Sequence, residues 1–152
     1  MTAQLNFPHI DNKMFAEKVS IRDIAHTVAT PFYCYSLSKL KSNFYNFKNS
    51  FKKINPLICF SVKSNANVDL LKELKRMGSG ADVVSAGELL KAQKAGISAK
   101  KIVFSGVEKT EEEIELALKK NVLLINMESE SEAININKIS KRMLKKTSVG
   151  VR

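Results

Sequence analysis

From Pro56 onward the chain alternates two kinds of hydrophobic pattern. Short β-branched runs, LICFSV (57–62), ADVVS (81–85), KIVFSG (101–106), VLLIN (122–126) and TSVGV (147–151), are apolar on consecutive positions. That is the pattern of strands covered on both faces, as in a parallel sheet. Between them, VDLLKELKRMG, GELLKAQKAG, TEEEIELALKKN and SESEAININKISKRMLKK place apolar residues at i, i+3, i+4 and i+7, the stripe of an amphipathic helix. A unit of about 20 to 25 residues suits a minimal βα repeat.

The punctuation agrees with this division. Gly78 and Gly96 close helices as C′ residues, while Asn67 to Leu70, Thr110 to Glu113 and Ser129 to Glu132 open them with a capping side chain and an acidic first turn. Thr110-x-x-Glu113 is a capping-box pattern. Ahead of the array the order is loop, helix, strand, helix. A short helix starts at Ser20-Ile21-Arg22-Asp23 and runs to about Ala29, TPFYCYS (30–36) reads as a strand, and residues 37–53 read as a helix with Leu37, Leu40, Phe44, Phe47 and Phe51 on one face.

Alternation of this kind leaves an open doubly wound sheet or a closed eight-stranded barrel. No G-x-G-x-x-G follows the first strand, so a dinucleotide-binding sheet loses its usual support. A barrel takes about 250 residues, whereas five strand candidates are present and the last reaches Arg152 with nothing after it to cover its edge. The expectation is an α/β fold, a partial TIM (β/α)8 barrel of about five strands, interrupted inside the fifth.

Composition changes this picture little. With 152 residues, 44% hydrophobic and 26% charged, the chain has the make-up of an ordinary globular protein. No stretch approaches the ~18 uninterrupted apolar residues of a membrane span, and MTAQLNFPHIDNK lacks the basic-then-apolar order of a secretory signal, so a cytoplasmic protein without a membrane partner is expected. Cys34, Cys59, His9 and His26 are isolated, which suggests neither a disulfide nor a metal site. The net charge of +10 would suit a polyanion. However, the cations are mostly Lys, scattered as doublets such as Lys52-Lys53 and Lys119-Lys120 without interleaved aromatics, so solvated helix faces account for them and no nucleic-acid partner is expected.

The first strand of the array ends in Ser61-Val62-Lys63-Ser64-Asn65. Ligands of parallel βα arrays bind at the carboxyl ends of the strands. One lysine among 25 Lys and Arg is most simply solvated surface; a lysine at a barrel mouth also suits Schiff-base chemistry, because desolvation frees its amine to attack an aldehyde. Asn65, Ser85 and Ser105 stand at strand ends as pocket candidates, with turn chemistry as the equal alternative. Gly78, Gly80, Gly87 and Gly106 read as tight-turn glycines rather than a phosphate cradle.

In order and spacing, TPFYCYS, CFSVKSNAN, GSGADVVSAGELLKAQKAG, KIVFSGVEKTEEEIELAL and LINMESESE resemble the N-terminal half of diaminopimelate decarboxylases, enzymes of the alanine-racemase-like barrel type that use pyridoxal 5′-phosphate. The resemblance covers about residues 30–152. It implies that Lys63 is the lysine carrying the cofactor covalently and that Asp82 lies beside the cofactor and helps hold Lys63 and the ring. Glu88 would support the same region, and Arg152, at the end of the fifth strand, would reach toward the cofactor. It further implies two segments: residues 1–36, whose TPFYCYS strand belongs to a β-sandwich domain otherwise missing, and residues 37–152, the first part of the cofactor-binding barrel.

The implied reaction is decarboxylation of meso-diaminopimelate to L-lysine, on a small-molecule amino-acid substrate and in a homodimer when the protein is whole. The alternatives are another basic amino-acid decarboxylase of the group, or a non-catalytic pyridoxal-phosphate-binding barrel. Small departures are Ser61 and Ser64 where the family has Ala, and Ala86 where it has Gly. The large one is length: the family's phosphate loop, the acid that pairs with the pyridine nitrogen, and the C-terminal β domain are absent, so the chain by itself is expected to be inactive.

Overall fold

The computed structural model describes residues 6–152, which form two units, one ending at Ile54 and the other spanning Asn55–Arg152. In the first unit three short antiparallel strands, β1 (His9–Ile10), β2 (Lys13–Ala16) and β3 (Val19–Ser20), make a meander in chain order. Strands of two to four mostly exposed residues carry no run long enough to show a period, and the sequence therefore reads them as loop. Helix α1 (Ile21–Val28) opens where expected, with the Ser20 hydroxyl accepting the Arg22 N–H at 3.2 Å.

The TPFYCYS segment forms no β-ladder: Ser36 is extended, at φ −86° and ψ 120°, but no partner strand for this segment exists among the described residues. A strand requires such a partner to satisfy its backbone groups. Helix α2 (Leu37–Ser50) starts from Ser36, whose hydroxyl accepts the Lys39 N–H at 3.0 Å and donates to Glu17 Oε1 at 2.7 Å. The Ser38 N–H donates to the same oxygen at 2.8 Å and, with the hydroxyls of Ser36 and Ser38, holds the Glu17 carboxyl below its ordinary range. Of the apolar stripe expected on α2, Phe44 is buried, whereas Phe47 and Phe51 are exposed and pack on each other with ring centroids 5.1 Å apart.

The second unit is the predicted array. Strands β4 (Cys59–Ser61), β5 (Gly80–Val83), β6 (Ile102–Phe104), β7 (Leu124–Met127) and β8 (Val149–Val151) alternate with helices α3 (Val68–Arg76), α4 (Ala86–Lys94), α5 (Glu111–Lys120) and α6 (Glu130–Arg142). All neighbouring strands are parallel, in the order β4-β5-β6-β7-β8. This order decides between the two architectures left open by the pattern. A doubly wound sheet reverses direction at a switch point, whereas here each strand adds to the same side, as the strands of a barrel do.

The two faces of the sheet differ sharply. Ala81, Val83, Ile102, Phe104 and Ile125 are fully buried on the face shared with Leu71, Leu89, Ile114, Ala117 and Ile139 of the helices. The alternate positions, Cys59, Ser61, Asp82, Val103, Leu124, Asn126 and Gly150, make a half-buried face on which polar and small residues sit beside Val103 and Leu124. Side chains alternate along a strand, so one face builds the core while the other remains available for chemistry. Within β5 the sheet also needs Gly80, because a Cβ there would collide with the Lys101 carbonyl. Gly80 is therefore a strand residue and Gly87 lies in the first turn of α4, not in the tight turns the sequence suggests.

Candidate functional site

Four of the strands carry a polar residue at or beside their last position on one rim of the sheet: Ser61 in β4, Asp82 in β5, Ser105 just after β6 and Asn126 in β7. At β4 the chain passes from Ser61 into a single helical turn, Val62–Ser64, which carries Lys63. Val62 is fully buried and anchors the turn, the Ser64 hydroxyl donates to the Ser61 carbonyl at 2.6 Å, and the Asn65 N–H donates to the Val62 carbonyl at 3.0 Å. Lys63 is held out of this turn into solvent, with no hydrogen-bond or ion-pair partner among the described residues. The strand register sets Ser61 beside Asp82, so the lysine follows two residues beyond the neighbour of that carboxylate.

Asp82 is the end of a hydrogen-bonded row. The Ser105 hydroxyl, in a residue only 5% exposed, donates to Asp82 Oδ1 at 2.5 Å, and Asn126 Nδ2 donates to Ser105 Oγ at 3.0 Å. Gly150 of β8 pairs in register with Asn126, and a Cβ at Gly150 would collide with Asn126 Oδ1. Ser105 is thus a pocket candidate that the structure ties directly to Asp82. Asn126 and Gly150 are not among the candidates the sequence offers, although Asn126 closes the apolar run VLLIN. A polar residue ending an apolar strand was the available signal.

The remaining candidates have local tasks. Asn65 Oδ1 accepts the Asn67 N–H at 3.0 Å, which is turn chemistry, and the Ser85 hydroxyl caps α4 by accepting the Glu88 N–H at 3.3 Å. Glu88 Oε2 turns back to accept the Val84 N–H at 2.9 Å, fixing the link between β5 and α4. Arg152 lies on the β8 edge, opposite the β4 edge of the sheet. It is exposed and its guanidinium pairs with Glu128 at 3.1 Å. Between these positions Lys109 is buried, donating to the Gly106 carbonyl at 2.6 Å and pairing with Glu132 at 2.9 Å. The general reading of the lysines as solvated surface fails for it.

An unpaired amine on an anchored turn, one strand from a carboxylate whose orientation is fixed, is a donor set that fits a carbonyl-bearing cofactor held through an imine. Among the described residues no group of three or more His, Cys, Asp or Glu gathers as metal ligands do, and no helix is long and apolar enough to cross a membrane.

Comparisons with known proteins agree with this chemistry. The family described as "Pyridoxal-dependent decarboxylase, pyridoxal binding domain" matches residues 37–152. Diaminopimelate decarboxylase of Aquifex aeolicus is 41% identical over 142 residues, 93% of this chain and 33% of that protein. The enzyme of the same name from Helicobacter pylori J99 is 45% identical over 130 residues, 86% of this chain and 32% of its own length. A crystal structure from Aquifex aeolicus superposes with a TM-score of 0.93 at 39% identity, covering 98% of this chain and 37% of that one. Diaminopimelate decarboxylase from M. jannaschii in complex with L-lysine superposes at 0.91 and 32% identity, covering 96% and 35%. The chain therefore spans about a third of the length of the relatives it matches.

Proposed function

Because the chain belongs to the pyridoxal-dependent decarboxylase family, through that family's pyridoxal-binding domain, we propose that it supplies the lysine-bearing part of an enzyme that converts meso-diaminopimelate to L-lysine and CO2. The observation that carries this reading is Lys63 on its buried-valine turn, free of partners among the described residues, next to a strand whose Asp82 is fixed in place. Relatives at 41% and 45% identity bear the name diaminopimelate decarboxylase, and the M. jannaschii relative binds L-lysine, the product of the proposed reaction.

Lys63 Nζ would hold pyridoxal phosphate, which when bound supplies an electron sink for the pair left behind as CO2 departs. The chain's own part is placement. The Val62–Ser64 turn presents Nζ at the rim, Asp82 would orient the lysine and the ring electrostatically, and Glu88 holds the β5–α4 link through the Val84 N–H. Arg152 would contribute its charge from the β8 end. Residues 1–36 would begin the sandwich domain and residues 37–152 the barrel. We place the reaction in the cytoplasm and in a homodimer, in line with the resemblance.

The test uses the full-length protein loaded with pyridoxal phosphate and supplied with meso-diaminopimelate. Steady CO2 release is expected, reduced at least a thousandfold by Lys63→Ala, with borohydride fixing the cofactor to the Lys63 peptide of the parent only. Release from lysine or ornithine in preference to meso-diaminopimelate would assign the protein to another basic amino acid, and fixation at another lysine would overturn the role of Lys63.

A further inference from the structure

The row that ends at Asp82 is directional. An Asn Nδ2 only donates and an ionised carboxylate only accepts, while a serine hydroxyl has one proton and spare lone pairs. With Asn126 donating to Ser105 Oγ, the single Ser105 proton is committed to Asp82 Oδ1. Turning the Asn126 amide over would face two acceptors with one hydroxyl proton between them, so the observed orientation is the one in which each contact of the row has a donor and an acceptor. The space for it comes from Gly150, where any Cβ would collide with Asn126 Oδ1. Residues of β5, β7 and β8, together with the residue that follows β6, thus cooperate on one carboxylate oxygen, and Asp82 Oδ2 is left without a hydrogen-bond partner among the described residues.

We propose that Ser105 and Asn126 are positioning residues that clamp Asp82 through Oδ1 and keep Oδ2 available to the Lys63-bound cofactor, with Gly150 as the space the clamp requires. The proposal deepens the function given above and rests on it. A row that merely tied strands together would need no free oxygen at its end, and its loss would weaken the fold without selectively changing cofactor affinity.

The experiment titrates pyridoxal phosphate into cofactor-free full-length protein, reads bound cofactor by absorbance and locates it by borohydride fixation and peptide mass spectrometry. Ser105→Ala is expected to weaken binding roughly tenfold, the size of one hydrogen bond to a charged group. Ser105→Thr, which keeps the hydroxyl, should stay within about twofold of the parent, and Ser105→Cys, a same-shape variant with a weaker donor, should fall between. In an Asp82→Ala background Ser105→Ala should change nothing further, and Asn126→Ala should add nothing to Ser105→Ala, because both act through the same carboxylate. Parent-like affinity in Ser105→Ala and Ser105→Cys, or an equal loss with and without Asp82, overturns this inference alone. A parent that fixes no cofactor at Lys63 overturns the proposed function and this inference together.

Discussion

Cys59 shows how the polar face of the sheet acts on a single group. It lies on the same face of β4 as Ser61, half-buried, with its Sγ donating to the Lys101 carbonyl at 3.8 Å. Burial raises the Cys59 thiol above its ordinary range, the Asp82 carboxylate pushes the same way, and the Lys101 charge opposes both. A raised acid keeps its proton in the folded state at pH values where the unfolded chain has lost it. Stability is therefore unaffected below the ordinary thiol value of ~8.5 and falls as the pH rises above it. The expected outcome is that parent protein loses more stability than Cys59→Ser between pH 7.5 and 9.5, measured by urea unfolding. The ceiling is about 1.4 kcal/mol per pH unit, and the observed slope should be a fraction of it, because a half-exposed group is screened by solvent. Equal slopes in the two proteins would remove the buried-thiol account. The sequence sets both cysteines outside any CxxC pair. It could not place Cys59 within reach of Asp82, since that proximity comes from the pairing of β4 with β5.

At the scale of elements, the capping residues were legible and their second use was not. Thr110 and Glu113 form the expected capping box, with Glu113 Oε2 accepting the Thr110 N–H at 3.2 Å, but Glu113 Oε1 also accepts the Ala86 N–H of the preceding βα unit at 2.9 Å. Glu132 repeats the device on α6: Oε2 accepts the Glu128 N–H at 2.8 Å and Oε1 takes the Lys109 ammonium of the preceding unit at 2.9 Å. An S/T-x-x-E pattern reports the local half of this arrangement. The other half joins residues 27 and 23 positions apart and depends on how neighbouring units pack. Lys109 and Glu132, with side chains 1% and 9% exposed, make the strongest of these clasps. Lys109→Met would leave the Glu132 charge buried without its partner, which costs about 3–5 kcal/mol. Adding Glu132→Gln should recover a substantial part of that loss by removing the stranded charge, because the two sites share one interaction. Urea unfolding of the two single variants and the double variant checks this, and additive losses would show that the pair is not coupled.

For the whole molecule the informative quantity is strand order. The repeating pattern fixed the number of βα units and nearly all their positions, yet it is equally compatible with an open doubly wound sheet. Hydrophobic periodicity records burial, whereas order is a property of which edges meet. The sequential order β4 to β8 leaves two edges, and β8 is the more exposed to self-association: Val149 is 46% and Val151 83% exposed on a strand with one unpaired side. Beside it a groove of about 940 Å³ is lined by Met127, Ile136, Leu144 and Val149, with Leu144 93% exposed. An apolar groove next to an unpaired parallel edge is a surface that another chain can cover. The 152-residue polypeptide by itself is therefore expected to sediment as species larger than a monomer at tens of micromolar, and to release no CO2 from meso-diaminopimelate when given pyridoxal phosphate. Val149→Lys with Val151→Lys should shift it toward monomer, since charges on an edge strand oppose pairing. A monomeric parent in sedimentation velocity would show that the edge is not adhesive, and steady turnover abolished by Lys63→Ala would show that five strands already suffice for catalysis. The two readings are separable because the lysines at β8 alter the edge and leave Lys63, Asp82 and Ser105 unchanged.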